Sequence, residues 1–134
     1  MPESPDRIQP FRESADRPST FEERKDKEAR KFYQTYTWRK FRNKMKRKHR
    51  AIDSKRVHDL YKELTKTTFR SYMNWLAGDD PLCVDCVDEG YIRPAKVADH
   101  KKRIRDGGKP LDPKNIQWLC SHHHNIKSGK EAHE

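Results

Sequence analysis

The sequence predicts an α+β fold, and three observations support this prediction. Helical spacing of apolar residues dominates up to about Ala77, and Gly78 is a natural end for the last of these helices. From Pro81 onward short apolar segments alternate with turns, which is typical of short strands. Cysteines and histidines in the same part supply metal ligands, the kind of staple that a small core requires. We therefore expect two long helices followed by a small ββα unit stapled by a metal.

Composition limits both the core and the partners. Of the 134 residues, 31% are hydrophobic and 39% are charged, too little apolar material for a large core. The formal net charge of +10 favours polyanionic partners, either nucleic acid or an anionic membrane surface. No apolar run approaches the ~18 residues of a membrane span, and the first five residues contain no apolar signal region. We therefore expect a cytoplasmic protein with no membrane association.

The chain divides into three predicted segments. Residues 1–20 are rich in Pro, Ser, Asp and Arg, which predicts a disordered tail. The tail is interpreted as solvated, with a partner-binding arm as the alternative. Residues 21–80 form a basic helical region, and residues 81–134 form the metal-stapled domain.

The first predicted helix runs from Phe21 to near Arg50. Thr20 is a plausible N-cap and Glu23 follows three residues later, which is a capping-box pattern. Acidic residues are absent between positions 39 and 52, so charge compensation within the helix fails. We therefore favour a phosphate-contacting surface over a merely solvated helix face. The candidate DNA contacts on this helix are Arg39, Arg42, Lys44, Arg47 and Lys48.

The second predicted helix runs from Lys55 to Ala77, with Asp53 or Ser54 as its cap. Its apolar residues recur at helical spacing, and we interpret them as core packing, with base stacking as the alternative. The stripe consists of Val57, Leu60, Tyr61, Leu64, Thr68, Phe69, Tyr72, Met73 and Leu76.

Short elements are predicted beyond Pro81. Apolar pairs and runs alternate with turn residues, and Gly107, Gly108, Pro110 and Pro113 mark a long loop. The expected strand segments are Tyr91–Ile92, Ala95–Ala98 and Ile116–Leu119, followed by a closing helix over His122–Lys130.

Four residues have the spacing of a structural zinc site. Cys83-x-x-Cys86 is one ligand pair and Cys120-x-x-His123 is the other, and zinc prefers tetrahedral nitrogen and sulfur ligation. His122 is a less favoured fourth ligand because its spacing from Cys120 is one residue short. A Cys-x-x-Cys pair in a reducing compartment indicates metal ligation more than a disulfide. We therefore expect Zn²⁺ to join the two ends of this domain.

A second set of residues favours hydrolytic chemistry. The Asp99 carboxylate and the His124 imidazole are suitable ligands for Mg²⁺, Mn²⁺ or another divalent ion. His100 alternates with Asp99 along the predicted strand, so it points away from that ion and is a candidate general base. Asn115 is a candidate for orienting His100. Such an ion polarises a scissile phosphate and stabilises the leaving 3′ oxygen, which leaves 5′-phosphate and 3′-hydroxyl ends.

Four motifs between Pro81 and Glu131 resemble those of the zinc-containing HNH endonucleases of bacteriophages and their hosts. The motifs are Pro81-Leu82-Cys83-x-x-Cys86, Ala95-x-Val97-Ala98-Asp99-His100, Asn115-Ile116-Gln117-x-Leu119-Cys120 and His124-Asn125-x-Lys127-Ser128. The resemblance implies a ββα-metal fold in a bacterial or phage-infected cell. It implies that His100 is the general base, that Asn115 orients His100, and that Asp99 and His124 bind the catalytic ion. Lys127, in the last motif, joins the candidate DNA contacts.

Two features depart from that family's pattern. His123 stands where the family usually has a cysteine, and histidine is an ordinary zinc ligand. The segment from about Ala51 to Asp80 is longer than the usual link to the first cysteine pair. Upstream, Tyr36-x-Trp38-Arg39-x-Phe41-Arg42 is similar to a helix that often precedes the domain, with a different tyrosine spacing.

Three functions remain open from the sequence. The first is a metal-dependent endonuclease or nickase that acts on double-stranded DNA. The second is a non-catalytic, zinc-stapled nucleic-acid-binding module, which the cysteines and the basic helix would serve equally well. The third is an adaptor in a phage packaging machine that binds a terminase subunit, which draws only on the family's context.

Overall fold

The computed structural model describes residues 20–133, so the predicted tail lies outside the described residues except for Thr20. These residues belong to two units, one ending at Thr35 and the other beginning at Tyr36. The model is α+β and mostly helical, with one small antiparallel sheet. Within residues 20–133, no helix combines the length and the apolar character needed to cross a membrane.

The first unit contains helix α1, Phe21–Tyr33. The predicted cap is confirmed, because the Thr20 hydroxyl accepts a hydrogen bond from the Glu23 amide at 3.0 Å. The helix ends well before Arg50, so the prediction of one helix from Phe21 to Arg50 is wrong. After Tyr33, the Thr35 hydroxyl donates to the Phe32 carbonyl at 2.7 Å. This side-chain bond competes with the helical backbone pattern and accompanies the break.

Helix α2, Tyr36–Glu63, continues through the predicted boundary near residue 50. Asp53 was predicted as a cap, but it is buried in the middle of α2. Its carboxylate accepts hydrogen bonds from the Leu82 backbone amide at 2.9 Å and from Arg56 at 3.0 Å. The cap prediction is therefore wrong, because a tertiary partner satisfies this carboxylate.

Helix α3, Phe69–Ala77, is the remainder of the predicted second helix. Thr68 caps it by accepting from the Ser71 amide at 3.1 Å. The preceding break is tied to the next segment, since the Thr67 hydroxyl donates to the Gly90 carbonyl at 3.2 Å. Gly78 ends α3 as predicted. Within the described chain, three helices, and not two, therefore precede Pro81.

A small core joins the end of α2, α3 and the segment after Pro81. Its buried centre consists of Val57, Trp75, Leu82 and Ile92, and it is flanked by Leu60, Tyr61, Leu64, Tyr72 and Val87. Core packing is thus confirmed for most of the predicted stripe. It is wrong for Thr68, an exposed residue that caps α3, and for three exposed residues of α3: Phe69 at 63%, Met73 at 45% and Leu76 at 39%.

The sheet contains strands β1, Val97–His100, and β2, Ile116–Leu119, preceded by the short helix α4, Val84–Asp88. β2 matches the predicted range, whereas β1 begins two residues after the predicted start and includes both motif residues. The predicted Tyr91–Ile92 strand is absent from the described chain. Near these residues, the described chain has an isolated antiparallel bridge between Leu82 and Pro94. Two residues beside a turn are too few to form the backbone hydrogen bonds of a strand.

The strands run antiparallel, with Asp99 opposite Gln117 and His100 opposite Ile116. Helix α5, Ser121–Ala132, follows β2 and extends the predicted closing helix by one residue before and two after. Neighbouring strand residues face opposite sides of a sheet. Asp99 lies close to His124 and Lys127 of α5, and His100 packs against Trp38 of α2.

Candidate metal centre and its surroundings

The three cysteines and His123 converge at the starts of α4 and α5. Cys83 is the N-cap of α4 and its sulfur accepts from the Cys86 amide at 3.5 Å. Cys120 is the N-cap of α5 and its sulfur accepts from the His123 amide at 3.5 Å. Each two-residue gap thus folds into one helical turn that directs two ligand atoms toward the same point.

The distances between the four ligand atoms fit a tetrahedral ion. His123 Nδ1 lies 3.6, 3.4 and 3.2 Å from the sulfurs of Cys83, Cys86 and Cys120, and the Cys86 and Cys120 sulfurs are 3.7 Å apart. Zinc bonds of ~2.3 Å to sulfur and ~2.0 Å to nitrogen give tetrahedral edges of roughly 3.5–3.8 Å. Cys83, Cys86, Cys120 and His123 therefore form a group, the Cys3His group, that could hold a metal ion such as zinc.

Glu89 belongs to this site although sequence reasoning did not single it out. Its carboxylate contacts Nε2 of His123, on the side of the ring away from the sulfurs. A carboxylate in this position fixes the tautomer and orientation of a ligating imidazole, so Nδ1 is left to bind the ion. Glu89 is the residue after α4, and only the folding of that helix reveals the contact.

The pKa values of the three thiols are shifted in different directions. Burial raises the pKa of Cys83 and of Cys86 above the ordinary thiol range. Burial also acts to raise the pKa of Cys120, but hydrogen bonds from His123 outweigh it and lower the pKa to about 7. An ion that binds this group must displace protons from the thiols, so its binding releases protons.

Asp99 and His124 face each other beside this group. His124 Nε2 lies 3.8 Å from Asp99 Oδ1. Two atoms this close can both bind one ion, because oxygen and nitrogen ligands approach a small divalent ion to ~2.1 Å. The other carboxylate oxygen, Oδ2, accepts from the side-chain nitrogen Nε2 of Gln117 at 2.9 Å. Gln117, which sequence reasoning did not assign to the site, thus orients Asp99 with Oδ1 toward His124.

Lys127 lies in the same site. Its ammonium is 3.2 Å from Asp99 Oδ2, 2.9 Å from a Glu131 carboxylate oxygen and 3.1 Å from the His100 carbonyl. Burial acts to lower the pKa of Lys127, but Glu131 and Asp99 outweigh it and raise the pKa, so the side chain stays charged. The Lys127 ammonium thus forms ion pairs with two carboxylates of the protein. Its contact with DNA stays a prediction.

His100 lies on the other side of the sheet and is only 3% exposed. Its ring packs against Trp38 with centroids 5.0 Å apart, and its Nε2 is 2.9 Å from the Pro110 carbonyl. A carbonyl only accepts hydrogen bonds, so this contact places the proton on Nε2 and makes Nδ1 the basic nitrogen. The role of His100 as general base stays a prediction.

The Asn115 side chain holds together the loop that contacts His100. Its side-chain oxygen accepts from the Lys102 amide at 2.9 Å, and its side-chain nitrogen donates to the carbonyls of Lys102 and Lys109, both at 3.1 Å. Pro110, the residue after Lys109, carries the carbonyl that contacts His100. Asn115 therefore holds the segment whose Pro110 carbonyl contacts the ring, and its role in orienting His100 stays a prediction.

The predicted DNA contacts on α2 differ in exposure. Arg39, Lys44, Arg47 and Lys48 are exposed. Arg42 is partly buried, because its guanidinium lies over the Trp118 ring at 5.4 Å and donates to the Lys96 carbonyl at 3.4 Å. Arg42 thus also packs α2 against the sheet, whereas the other four present their charges to solvent.

Comparisons with known proteins add no assignment. No protein-family model matches the chain, and neither a curated protein nor a solved structure matches it. The fold and the site by themselves define an α+β protein with a Cys3His group that could hold a metal ion. The likeness to HNH endonucleases therefore rests on the motifs in the sequence.

Proposed function

We propose that this protein is a metal-dependent endonuclease of the HNH type that hydrolyses phosphodiester bonds in DNA. The observation that supports this most directly is the 3.8 Å separation between Asp99 Oδ1 and His124 Nε2. The two residues come from different elements and are 25 positions apart in sequence. Their approach in the fold supports the proposal, because one ion could contact both atoms, as the resemblance implies.

The Cys3His group is connected to the elements that carry Asp99 and His124. His123 belongs to the group and His124 is the next residue of α5, while Cys120 directly follows β2. β2 in turn pairs with the strand that carries Asp99. Structural zinc bound by Cys83, Cys86, Cys120 and His123 would therefore fix α5 relative to the sheet, and with it the distance between Asp99 and His124.

The remaining residues would handle the proton and the nucleophile. A divalent ion such as Mg²⁺ or Mn²⁺, held by Asp99 and His124, would supply polarisation of the scissile phosphate and stabilisation of the leaving 3′ oxygen. His100 accepts a proton from the attacking water at Nδ1, the nitrogen that the Pro110 carbonyl leaves basic. Asn115 keeps Pro110 in place through its bond to Lys109. Cleavage would leave 5′-phosphate and 3′-hydroxyl ends.

The second candidate is a non-catalytic zinc-stapled module that binds nucleic acid. One observation favours it specifically: His100 is buried against Trp38, on the side of the sheet opposite Asp99. A general base must reach the water that it activates, so catalysis requires His100 or its loop to move when DNA binds. The exposed lysines and arginines of α2 serve either candidate.

A plasmid-nicking assay separates the two functions. Purified zinc-loaded protein is incubated with supercoiled plasmid and Mg²⁺, Mn²⁺ or Ni²⁺ in turn. We expect nicking by the wild type and by His122→Ala, and a loss of at least ~100-fold for His124→Ala. His122 is a matched control because it is an exposed histidine of the same helix and lies outside the Cys3His group. DNA binding without nicking under all three ions would reject the endonuclease and favour the binding module.

A further inference from the structure

We propose that the loop between β1 and β2 contains a binding site for a backbone phosphate of nucleic acid, formed by Lys102, Lys109 and Lys114. We call this site the lysine pocket. The proposal rests on the proposed function in taking nucleic acid as the partner, but it concerns residues outside the Asp99 and His124 pair. The α2 surface and Lys127 were the DNA contacts that the sequence suggested, and none of the three pocket lysines was among them.

The lysine pocket is a cavity of about 320 Å³ at the surface. Its charged lining consists of the three lysines and one aspartate, Asp112, which gives a net formal charge of +2 from three positive groups and one negative group. One oxygen of Asp112 is engaged by the Lys114 backbone amide at 3.0 Å. The lining therefore favours an anion, and a phosphate offers several oxygens to neighbouring ammonium groups.

Asn115 brings the three lysines together although they are spread along the loop. Its side chain accepts from the Lys102 backbone amide and donates to the carbonyls of Lys102 and Lys109. Lys114 is the residue before Asn115, so its position is fixed by the same bonds. The asparagine of the motif thus gathers lysines that lie seven and five residues apart in sequence. A gathered set of charges binds one anion better than the same charges on a mobile loop, because less conformational freedom is lost on binding.

Two glycines permit this close folding. Gly107 has a φ of +90°, in the left-handed region, and a β-carbon there would lie 4.0 Å from the Lys102 ammonium nitrogen. At Gly108 a β-carbon would lie 1.9 Å from the Lys102 carbonyl oxygen. The chain therefore returns against Lys102 at a distance that only glycine allows. The Lys102 ammonium lies near the Gly107 edge of the pocket.

The three ammonium groups have no carboxylate partner within residues 20–133. Lys46, Arg56, Lys96, Arg103 and Lys127 form ion pairs in that part of the chain, as do His123 and His124. All three pocket lysines are exposed. Lys109 precedes Pro110, whose carbonyl contacts His100. A phosphate held here would therefore lie on the loop that orients the candidate general base, which favours a nucleic-acid phosphate over an unrelated anion.

The salt dependence of DNA binding tests the pocket. The triple variant Lys102→Gln, Lys109→Gln and Lys114→Gln is compared with the control Lys55→Gln, Lys62→Gln and Lys130→Gln. Both variants lose three positive charges from exposed positions. The dissociation constant of a fluorescein-labelled 20-base-pair duplex is measured from 50 to 250 mM NaCl without divalent ions, after circular dichroism and zinc content confirm folding.

We plot the logarithm of the binding constant against the logarithm of the salt concentration. We expect the slope to become less steep by about 0.9 for the pocket variant, the value for one lost phosphate contact, and to stay unchanged for the control. Equal slope changes in both variants would overturn the pocket, because they would report only net charge. An unchanged slope in the pocket variant would overturn it too. If inorganic phosphate in a calorimetric titration binds the wild type but not the pocket variant while the slope is unchanged, the site takes free phosphate and the nucleic-acid proposal is rejected.

The result of the salt-dependence assay is independent of the endonuclease proposal, since no divalent ion is added to the zinc-loaded protein and no cleavage is measured. A changed slope in a protein that nicks no plasmid would leave the pocket standing within a binding module. Intact nicking with an unchanged slope would remove the pocket and leave the nuclease.

Discussion

The two candidate metal sites meet at consecutive residues, His123 and His124, yet they are built differently. The Cys3His group has four ligand atoms within 4.8 Å of one another, and two of its sulfurs belong to fully buried cysteines. The Asp99 and His124 pair supplies only two ligands, and the His124 side chain is 35% exposed. Structural zinc sites are closed by protein ligands, whereas catalytic sites keep positions open. Under the proposed function, the first site would supply stability and the second site would supply the chemistry.

The largest effect is expected from disrupting the closed site. Cys86→Ser leaves three ligands for the ion, and apparent binding free energies of structural zinc are on the order of 10 kcal/mol or more. Since the group joins the starts of α4 and α5, we expect this variant to lose zinc and to lack a cooperative thermal transition. Zinc analysis and circular dichroism melting measure both, and His122→Ala provides the control. A Cys86→Ser protein that melts like the wild type would break the assignment of stability to this site.

A large effect on chemistry is expected from His100→Ala. Loss of a general base typically reduces cleavage by ~10²–10⁴-fold. Because His100 also packs against Trp38, the same variant should lose some stability, so cleavage must be compared at a temperature where both proteins are folded. Trp38→Phe is the companion variant, since it changes the packing and keeps the imidazole. If Trp38→Phe loses as much cleavage as His100→Ala, the role of His100 is packing and not proton transfer.

An intermediate effect is expected at Glu89, whose carboxylate contacts His123 of the closed site. Removing a carboxylate that orients a ligating histidine typically weakens metal binding by ~10–100-fold. Glu89→Gln should therefore lower zinc affinity in a competition titration with a chelator, while cleavage at saturating zinc stays unchanged. Asp88→Asn is a suitable control, because it is an exposed carboxylate one residue away. Reduced cleavage by zinc-saturated Glu89→Gln would show that the two sites are not separable in this way.

These contrasts also explain which features the sequence could predict. The Cys3His ligands follow from local spacing, since two-residue gaps and single helical turns are readable without the fold. Asp99 and His124 were predicted from their ligand chemistry, and the resemblance to HNH endonucleases implies the same role for them. Glu89, Gln117 and the three lysines of the pocket were missed, because strand pairing and loop folding, and not spacing, bring them to their partners. Among 31 lysines and arginines, sequence alone does not show which ones the loop gathers.

The predicted helix boundaries were wrong for a related reason. Asp53 has the residue type of a cap, and local propensity favours a helix start there. In the fold its carboxylate accepts the Leu82 amide instead, so a partner 29 residues away decides the local structure. The sequence pattern predicts one continuous helix through Thr67 and Thr68. In the fold, the Thr67 hydroxyl donates to the Gly90 carbonyl and Thr68 caps the next helix, so the chain breaks there.

The smallest effect concerns an ion pair outside both metal sites. The half-buried Asp80 carboxylate lies 2.6 Å from the Lys96 ammonium and 3.4 Å from that of Lys46. Burial acts to raise the pKa of Asp80, but the two lysines outweigh it and hold the pKa below its ordinary value. A lowered pKa in the folded state contributes stability above the unfolded-state pKa, and this stability is lost as pH falls through the folded-state pKa.

Asp80→Asn should therefore lower the free energy of unfolding by less than about 1 kcal/mol, with the same difference at every pH from 5 to 8. Zinc affinity should fall with decreasing pH over that range, because protons compete for the ligands. Urea denaturation of zinc-saturated protein at pH 5, 6, 7 and 8 measures the difference, and Asp79→Asn is the control because its side chain is 88% exposed. A difference that shrinks between pH 8 and pH 5 would show that Asp80 titrates there, and the pH dependence could then not be assigned to the closed metal site alone.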